Sequence, residues 1–145
     1  SYLEHRYPEP PLLPAEPGQR ARALWFEEYA DDKIAPTVAG GVFFQRIVMP
    51  LLLKQEPNEE VVQNTLNVLL PEILDYLTGC LGDDEFMVGG AFSIADIAIA
   101  SPFVNMAIAG EKIDAQGHPE MAAYIERILA LPCYAPIVEE ELPKG

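Results

Sequence analysis

The stretch Phe92-Ser93-Ile94-Ala95-Asp96-Ile97 decides the fold, because it carries two helix-start devices within six residues. Ser93 and Asp96 have the spacing of a capping box, in which each side chain accepts a hydrogen bond from the other residue's backbone N–H. Phe92 and Ile97 occupy the two positions of a hydrophobic staple. We therefore predict a helix that begins at Ile94, with Ser93 and Asp96 in a structural and not a catalytic role.

The segment that follows this box, residues 94–108, is almost wholly apolar. A helix without a polar face has to be buried nearly all round, and the N–H groups at its buried start cannot be left to water. Pro102 should bend this helix and free the carbonyl of Ala98, which Ser101 or a neighbour would then have to satisfy. The pattern predicts a central, buried helix.

Composition places the chain among soluble single-domain proteins. It has 145 residues, of which 50% are hydrophobic and 22% charged, and such a chain is long enough to bury a sizeable core. No uninterrupted apolar run reaches membrane-spanning length, and no signal-peptide pattern is present. We expect a cytoplasmic protein that does not bind membranes.

The charge balance is strongly acidic, with nine Lys and Arg against 23 Asp and Glu and a net charge of −14. Such a surface repels phosphate backbones, so we expect no nucleic-acid partner. The cysteines Cys80 and Cys133 and the histidines His5 and His118 lack the spacing of metal ligands. We therefore expect no metal site.

A proline-rich connector lies near the start of the chain, with five prolines in residues 7–17. Proline fixes φ and disfavours helix in the residue before it, so this segment should be stiff and extended. Residues 1–6 before it are predicted to end a helix. Because connectors of this kind join domains, we expect residues 1–17 to hold the end of a preceding domain and its linker, and residues 18–145 to form one helical domain.

Helical periodicity continues through the rest of the chain. Gly40 and Gly41 are expected to break or bend it, and Pro36, Pro50 and Pro71 are expected to kink or break their helices. Strand-like alternation and internal repeats are missing from the sequence. The predicted class is an all-α bundle of five or six helices. The helical segments outside 94–108 are 18–39, 42–54, 58–81, 119–131 and 134–142.

The order of these features resembles the cytosolic glutathione S-transferases, with bacterial and theta-like members looking closest. Residues 2–8 (YLEHRYP) and the connector resemble the end of the family's thioredoxin-like domain and its linker. Residues 22–31 (RALWFEEYAD) resemble the long helix that opens the family's C-terminal domain, and residues 88–97 (VGGAFSIADI) resemble its capping-box segment. The resemblance covers essentially the whole chain, without the glutathione-binding strand–helix unit of the family.

The resemblance implies that the two domains of the family have different roles. The family's N-terminal domain holds glutathione, the co-substrate, and supplies the Ser, Tyr or Cys that assists its sulfur. The helical domain supplies most of the pocket for a small hydrophobic electrophile. Matching pocket positions here are Ile34, Val38, Phe103 and Asn105, each of which also fits an ordinary core residue. On this resemblance the chain holds no catalytic residue, and the fragment alone should be inactive.

Two apolar stripes on the helix at 18–39 predict a homodimer, because more than one side of that helix has to be covered. Large aromatic residues anchor cores and interfaces alike, so either the domain itself or a partner would cover the second stripe. The stripes are Leu24, Trp25 and Tyr29, and Phe26, Ala30 and Ile34.

Two functions other than catalysis stay open, since a fold does not fix a function. The chain would also suit a non-catalytic, transferase-like module for protein interactions, or a carrier of apolar ligands. A Ser, Tyr or Cys near the start of the first helix of a preceding domain, with the family's cis-proline later, would favour the enzyme. Binding without turnover would favour the carrier.

Overall fold

A computed structural model describes residues 2–141 and shows six helices, with no strand in that range. The predicted all-α class of five or six helices is confirmed. Residue 142, the expected end of the last helix, lies outside the described range. The helices are α1 (Tyr2–Arg6), α2 (Pro17–Leu53), α3 (59–81), α4 (Ile94–Ile108), α5 (Pro119–Leu129) and α6 (Ala135–Glu141).

Helix α4 forms the centre of the bundle and packs against α2, α5 and α6. Ser101 is its only exposed residue, and the side chains of Ile99 and Met106 are fully buried. The prediction that this helix is covered nearly all round is confirmed. Its burial explains why the start of α4 needs an internal polar partner in place of water.

Gly40 and Gly41, which were expected to break or bend the helix, do not break it, because α2 runs through both glycines. Gly41 instead marks the point where α2 crosses α3. A Cβ atom at this position would lie 2.7 Å from Cγ2 and 2.8 Å from Cβ of Thr65. Only glycine allows the two helix backbones to approach so closely.

Because α2 is continuous, the expectation that no apolar segment reaches membrane-spanning length does not hold for this helix. Over its 37 residues, α2 is long and apolar enough to cross a membrane by length and composition alone. The two glycines were expected to divide this segment, and they do not. One stripe of α2 nevertheless belongs to the core of the bundle, where Phe26, Ile34, Val38 and Val42 are buried.

The prolines do not break their helices. Pro36 and Pro71 each follow a short π-helical segment, Ala30–Ile34 and Thr65–Leu69, and Pro50 lies inside a longer π-helical stretch. A proline ring in a regular α-helix clashes with the carbonyl four residues earlier. The wider π turn displaces that carbonyl, so the chain accommodates the ring and continues as a helix.

Helix α4 also continues through Pro102, but Ser101 does not compensate for the freed Ala98 carbonyl as predicted. The Ser101 hydroxyl donates to the carbonyl of Ile97 at 2.7 Å, and not to that of Ala98. The Tyr134 hydroxyl donates to the same carbonyl at 3.4 Å and contacts the Ser101 hydroxyl. Tyr134 thereby ties the C-terminal segment to the middle of α4.

The proline-rich connector is docked on the bundle. The N–H of Ile94, the first residue of α4, donates to the carbonyl of Leu12 at 2.8 Å. The Glu4 carboxylate in α1 accepts from the N–H groups of Leu12 and Leu13 at 3.2 and 3.1 Å. The connector therefore positions α1 relative to the start of α4.

Candidate functional site

The start of α4 holds the buried polar centre of the domain. Asp96 is 0% exposed, and one of its carboxylate oxygens accepts from the N–H of Ser93 at 2.8 Å. The other oxygen accepts from the N–H of Met87 at 2.9 Å and from the Tyr124 hydroxyl at 2.7 Å. The predicted capping box is present. Asp96 thus connects α4, α5 and the loop before α4. Its role in the domain is structural.

Tyr124 is the titratable member of this centre. Burial, followed by the charge of Asp96 and the hydrogen bond to it, raises the pKa of Tyr124 well above its usual 10.0. The Arg127 guanidinium, 5.7 Å from the ring centre, opposes this shift only in part. The phenol therefore stays protonated and continues to donate to Asp96.

This raised pKa predicts a loss of stability in alkaline solution. The unfolded chain releases the phenol proton above about pH 10, whereas the folded chain keeps it. The contribution of Tyr124 is therefore complete below pH 10, and it should then fall by about 1.4 kcal/mol per pH unit. Urea unfolding at a series of pH values should show a steeper alkaline decline for the wild type than for Tyr124→Phe. Identical slopes would contradict this prediction.

A groove of about 260 Å³ lies between the middle of α2 and α4. Small side chains keep it open, and three polar side chains border it. A groove with an apolar wall and a few polar groups has the general character of a small-molecule site. The lining residues are Asp31, Ala35, Ala39, Ala98, Ser101, Pro102 and Asn105.

The sequence-predicted pocket residues separate in the structure. Ile34 and Val38 are 0% exposed and belong to the core, while Ala35 and Ala39, one residue further along α2, line the groove. Phe103 is 5% exposed and lines a different cavity. Asn105 is the predicted residue that lies in the groove.

The groove residues Asp31 and Ser101 were not predicted, and neither were the alanines. Ile34 and Val38 were expected in the pocket because the family resemblance pointed to these positions, which lie one residue before the alanines that line the groove. The spacing of Ala35 and Ala39 at i and i+4 was the available signal, because such residues share a helix face.

Asn105 is the most informative residue of the groove. It is half-buried, and its amide pairs with no other residue within 2–141 but is not buried away from water. A ligand that replaces the water on such an amide can keep its hydrogen bonds. The Ser101 hydroxyl, in contrast, already donates to the Ile97 carbonyl. The groove can therefore bind and orient a ligand through the Asn105 amide.

A second exposed surface follows the outer face of α2 and α3. Trp25 is 57% exposed, and its indole N–H donates to the Tyr76 hydroxyl at 3.2 Å. The rings of Tyr29 and Tyr76 lie 4.9 Å apart between their centres. Leu69 continues this apolar surface along α3. One predicted stripe of α2 is thus buried in the domain. In the other, Leu24 and Trp25 are exposed and Tyr29 packs partly against the core.

Comparison with known proteins identifies the family. Residues 43–132, more than half of the chain, match the family model of the glutathione S-transferase C-terminal domain. The chain belongs to this family. The match includes the capping box and the second half of the groove, so the central features of this transferase domain fall within the matched region.

Individual relatives agree with this assignment. A Glycine max protein described as a probable glutathione S-transferase is 31% identical over 97 residues, which cover 67% of this chain and 37% of that protein. FtsZ-localized protein A of Caulobacter vibrioides is 23% identical over 98% of this chain and 61% of its own length. The chain thus spans less than two thirds of both relatives.

A solved structure supports the fold of the transferase domain. A glutathione S-transferase from Rhodospirillum rubrum aligns with a TM-score of 0.84 at 20% sequence identity. The alignment covers 94% of this chain and 60% of that protein. At this identity the likeness establishes the helical architecture.

Proposed function

We propose that this domain forms the electrophile-binding side of a glutathione-conjugating enzyme, with the α2–α4 groove as its pocket. The observation that carries the proposal is the Asn105 amide, unpaired within residues 2–141, in a groove whose other lining residues are three alanines, Pro102, Ser101 and Asp31. A small hydrophobic electrophile would lie against Ala35 and Ala39, and a polar group on it would accept from Asn105. Ile34, Val38 and Phe103 would support the pocket from the core.

The second substrate in this proposal is glutathione, held mainly by a preceding thioredoxin-like domain. Residues 1–17 would form the end of that domain and its linker. A Ser, Tyr or Cys of the preceding domain would favour the thiolate, which is the nucleophile. The thiolate sulfur would bond to the electrophilic carbon, and the leaving group would depart or an epoxide would open. The present residues orient the electrophile, so the isolated chain would be inactive. The role would be detoxification in the cytoplasm.

The test uses the protein that contains this chain together with a preceding domain. Glutathione with a panel of aryl halides and epoxides should give turnover. Asn105→Ala should raise the KM for an electrophile with a polar substituent by about three- to tenfold, the value of one hydrogen bond, and leave the KM for glutathione unchanged. Asn67→Ala, at an exposed position of α3, is the matched control. No turnover and no glutathione affinity would refute the proposal.

We also propose that the domain forms a homodimer through the outer face of α2 and α3. The exposed Trp25 and Tyr76 support this, since large aromatic side chains concentrate at interfaces. Trp25→Glu should convert the dimer to a monomer in light scattering. Ile137→Glu, at a position 58% exposed on α6 against 57% for Trp25, should leave the dimer intact. A wild-type monomer would contradict the proposal.

A non-catalytic interaction module is the second candidate function. It is favoured by the similarity to FtsZ-localized protein A, which extends over 98% of this chain. A preceding domain without a Ser, Tyr or Cys at the start of its first helix would support the module. Binding of apolar ligands without turnover would instead support a carrier.

A further inference from the structure

A second cavity, of about 310 Å³, lies apart from the groove, between the end of α4, α5 and the loop at 109–118 that joins them. Buried core residues, Phe103, Met106 and Ile125, form its floor. Apolar cavities of this size with a few polar groups at the mouth are typical ligand sites. The glutathione-conjugating function proposed above does not use this cavity.

Hydrogen bonds hold the loop that encloses the cavity. The N–H of Glu111 donates to the carbonyl of Met106 at 3.0 Å, which extends the end of α4. The N–H of His118 donates to the Asp114 carbonyl at 2.8 Å, and the N–H of Gln116 donates to the Asp114 carboxylate at 2.9 Å. The cavity is therefore formed before any ligand binds, which lowers the entropic cost of binding.

Around the mouth of the cavity, three carboxylates, those of Glu59, Glu111 and Glu126, stand against the two cations Arg46 and Lys112. Glu111 is fixed there by Arg46, 3.1 Å away, which also pairs with Glu59 at 2.8 Å. Glu126 is the second carboxylate at the mouth, and Lys112 is the opposing cation. Lys112 is exposed, and its long side chain can extend into water. The net charge of −14 also attracts cations to the whole surface.

We propose that this cavity binds a small aromatic cation, with a two-ring body inside and an ammonium group beside the carboxylate of Glu126, since Arg46 already pairs with Glu111. The volume of the cavity sets the size of the ligand's ring system. An apolar cavity of about 150 Å³ holds benzene, and this cavity has about twice that volume. The charge of the mouth sets the sign of the polar group.

The size of the site is tested by titrating the protein with 1-naphthylmethylammonium and following naphthalene fluorescence. Ala122→Leu, which fills the cavity from α5, should weaken binding by about tenfold or more. Ala123→Leu, at the adjacent exposed position, should leave the affinity unchanged. Equal affinities of the wild type and a folded Ala122→Leu variant would overturn the proposal. Methyl NMR of the wild type needs no variant. Methyl signals of Ile113 and Ile125 that stay unchanged when the protein is saturated with the probe would also overturn the proposal.

The charge of the ligand is tested separately. Glu126→Gln should weaken binding of the ammonium probe by about two- to fivefold, the usual range for an exposed ion pair. Lys112→Gln should strengthen it by a similar factor. Naphthalene-2-sulfonate, with a similar ring and the opposite charge, should bind more weakly than the ammonium probe. A sulfonate affinity equal to or above that of the ammonium would overturn the assignment.

Discussion

Replacement of Asp96 by alanine is expected to lower the free energy of unfolding by about 3–5 kcal/mol. The variant would leave the N–H groups of Met87 and Ser93 and the hydroxyl of Tyr124 buried without their acceptor. Each unsatisfied buried polar group costs about 1–3 kcal/mol. Because these groups belong to α5 and to the loop that leads into α4, the loss should affect the whole domain.

Urea unfolding measures this effect. Asp96→Asn keeps one oxygen acceptor and should be intermediate, whereas Asp83→Ala at an exposed position should change the free energy by less than about 0.5 kcal/mol. A loss of less than about 1 kcal/mol for Asp96→Ala would show that the start of α4 does not depend on this carboxylate.

The second large effect is expected for Gly41→Ala, which should destabilise the domain by about 2 kcal/mol or more. The new Cβ would lie 2.7 Å from Cγ2 and 2.8 Å from Cβ of Thr65, far inside normal contact distance. Thr65 is itself buried and donates to the carbonyl of Val61 at 2.8 Å, so it cannot turn away freely. Helices α2 and α3 would have to separate.

Gly40→Ala is the matched control, since a Cβ there meets no atom within 4 Å. This variant should stabilise the domain by about 0.5–1 kcal/mol, the usual gain from replacing glycine inside a helix. Thr65→Ala combined with Gly41→Ala should recover part of the loss, because it removes Oγ1 and Cγ2 of Thr65, two of the three atoms that the new Cβ would meet. Equal unfolding free energies of the Gly40 and Gly41 variants would contradict the proposed crossing.

The features predicted correctly from the sequence are those whose partners are close in the chain. Ser93 and Asp96 form their capping box within four residues, and the apolar composition of 94–108 requires burial whatever surrounds it. The break predicted at Gly40-Gly41 was wrong because the partner of Gly41 is Thr65, on another helix. No local pattern distinguishes a glycine that ends a helix from one that allows a helix crossing.

The candidate site depends even more on partners that are distant in the sequence and that local patterns therefore do not reveal. Tyr124, the partner of Asp96, lies 28 residues away in the sequence, and only the packing of α5 on α4 brings the two together. In the groove, the family resemblance pointed to Ile34 and Val38, which share a face of α2, but that face belongs to the core. The groove lies where α2 and α4 meet, with the small residues Ala35 and Ala39 on its α2 side, and only the packing of the two helices creates it.

The most direct test of the proposed electrophile site is a crystal structure of the protein with its preceding domain and S-(4-nitrobenzyl)glutathione. The nitrobenzyl ring is expected to lie against Ala35 and Ala39, with a nitro oxygen accepting from the Asn105 amide. A ring bound elsewhere, with the α2–α4 groove empty, would contradict it.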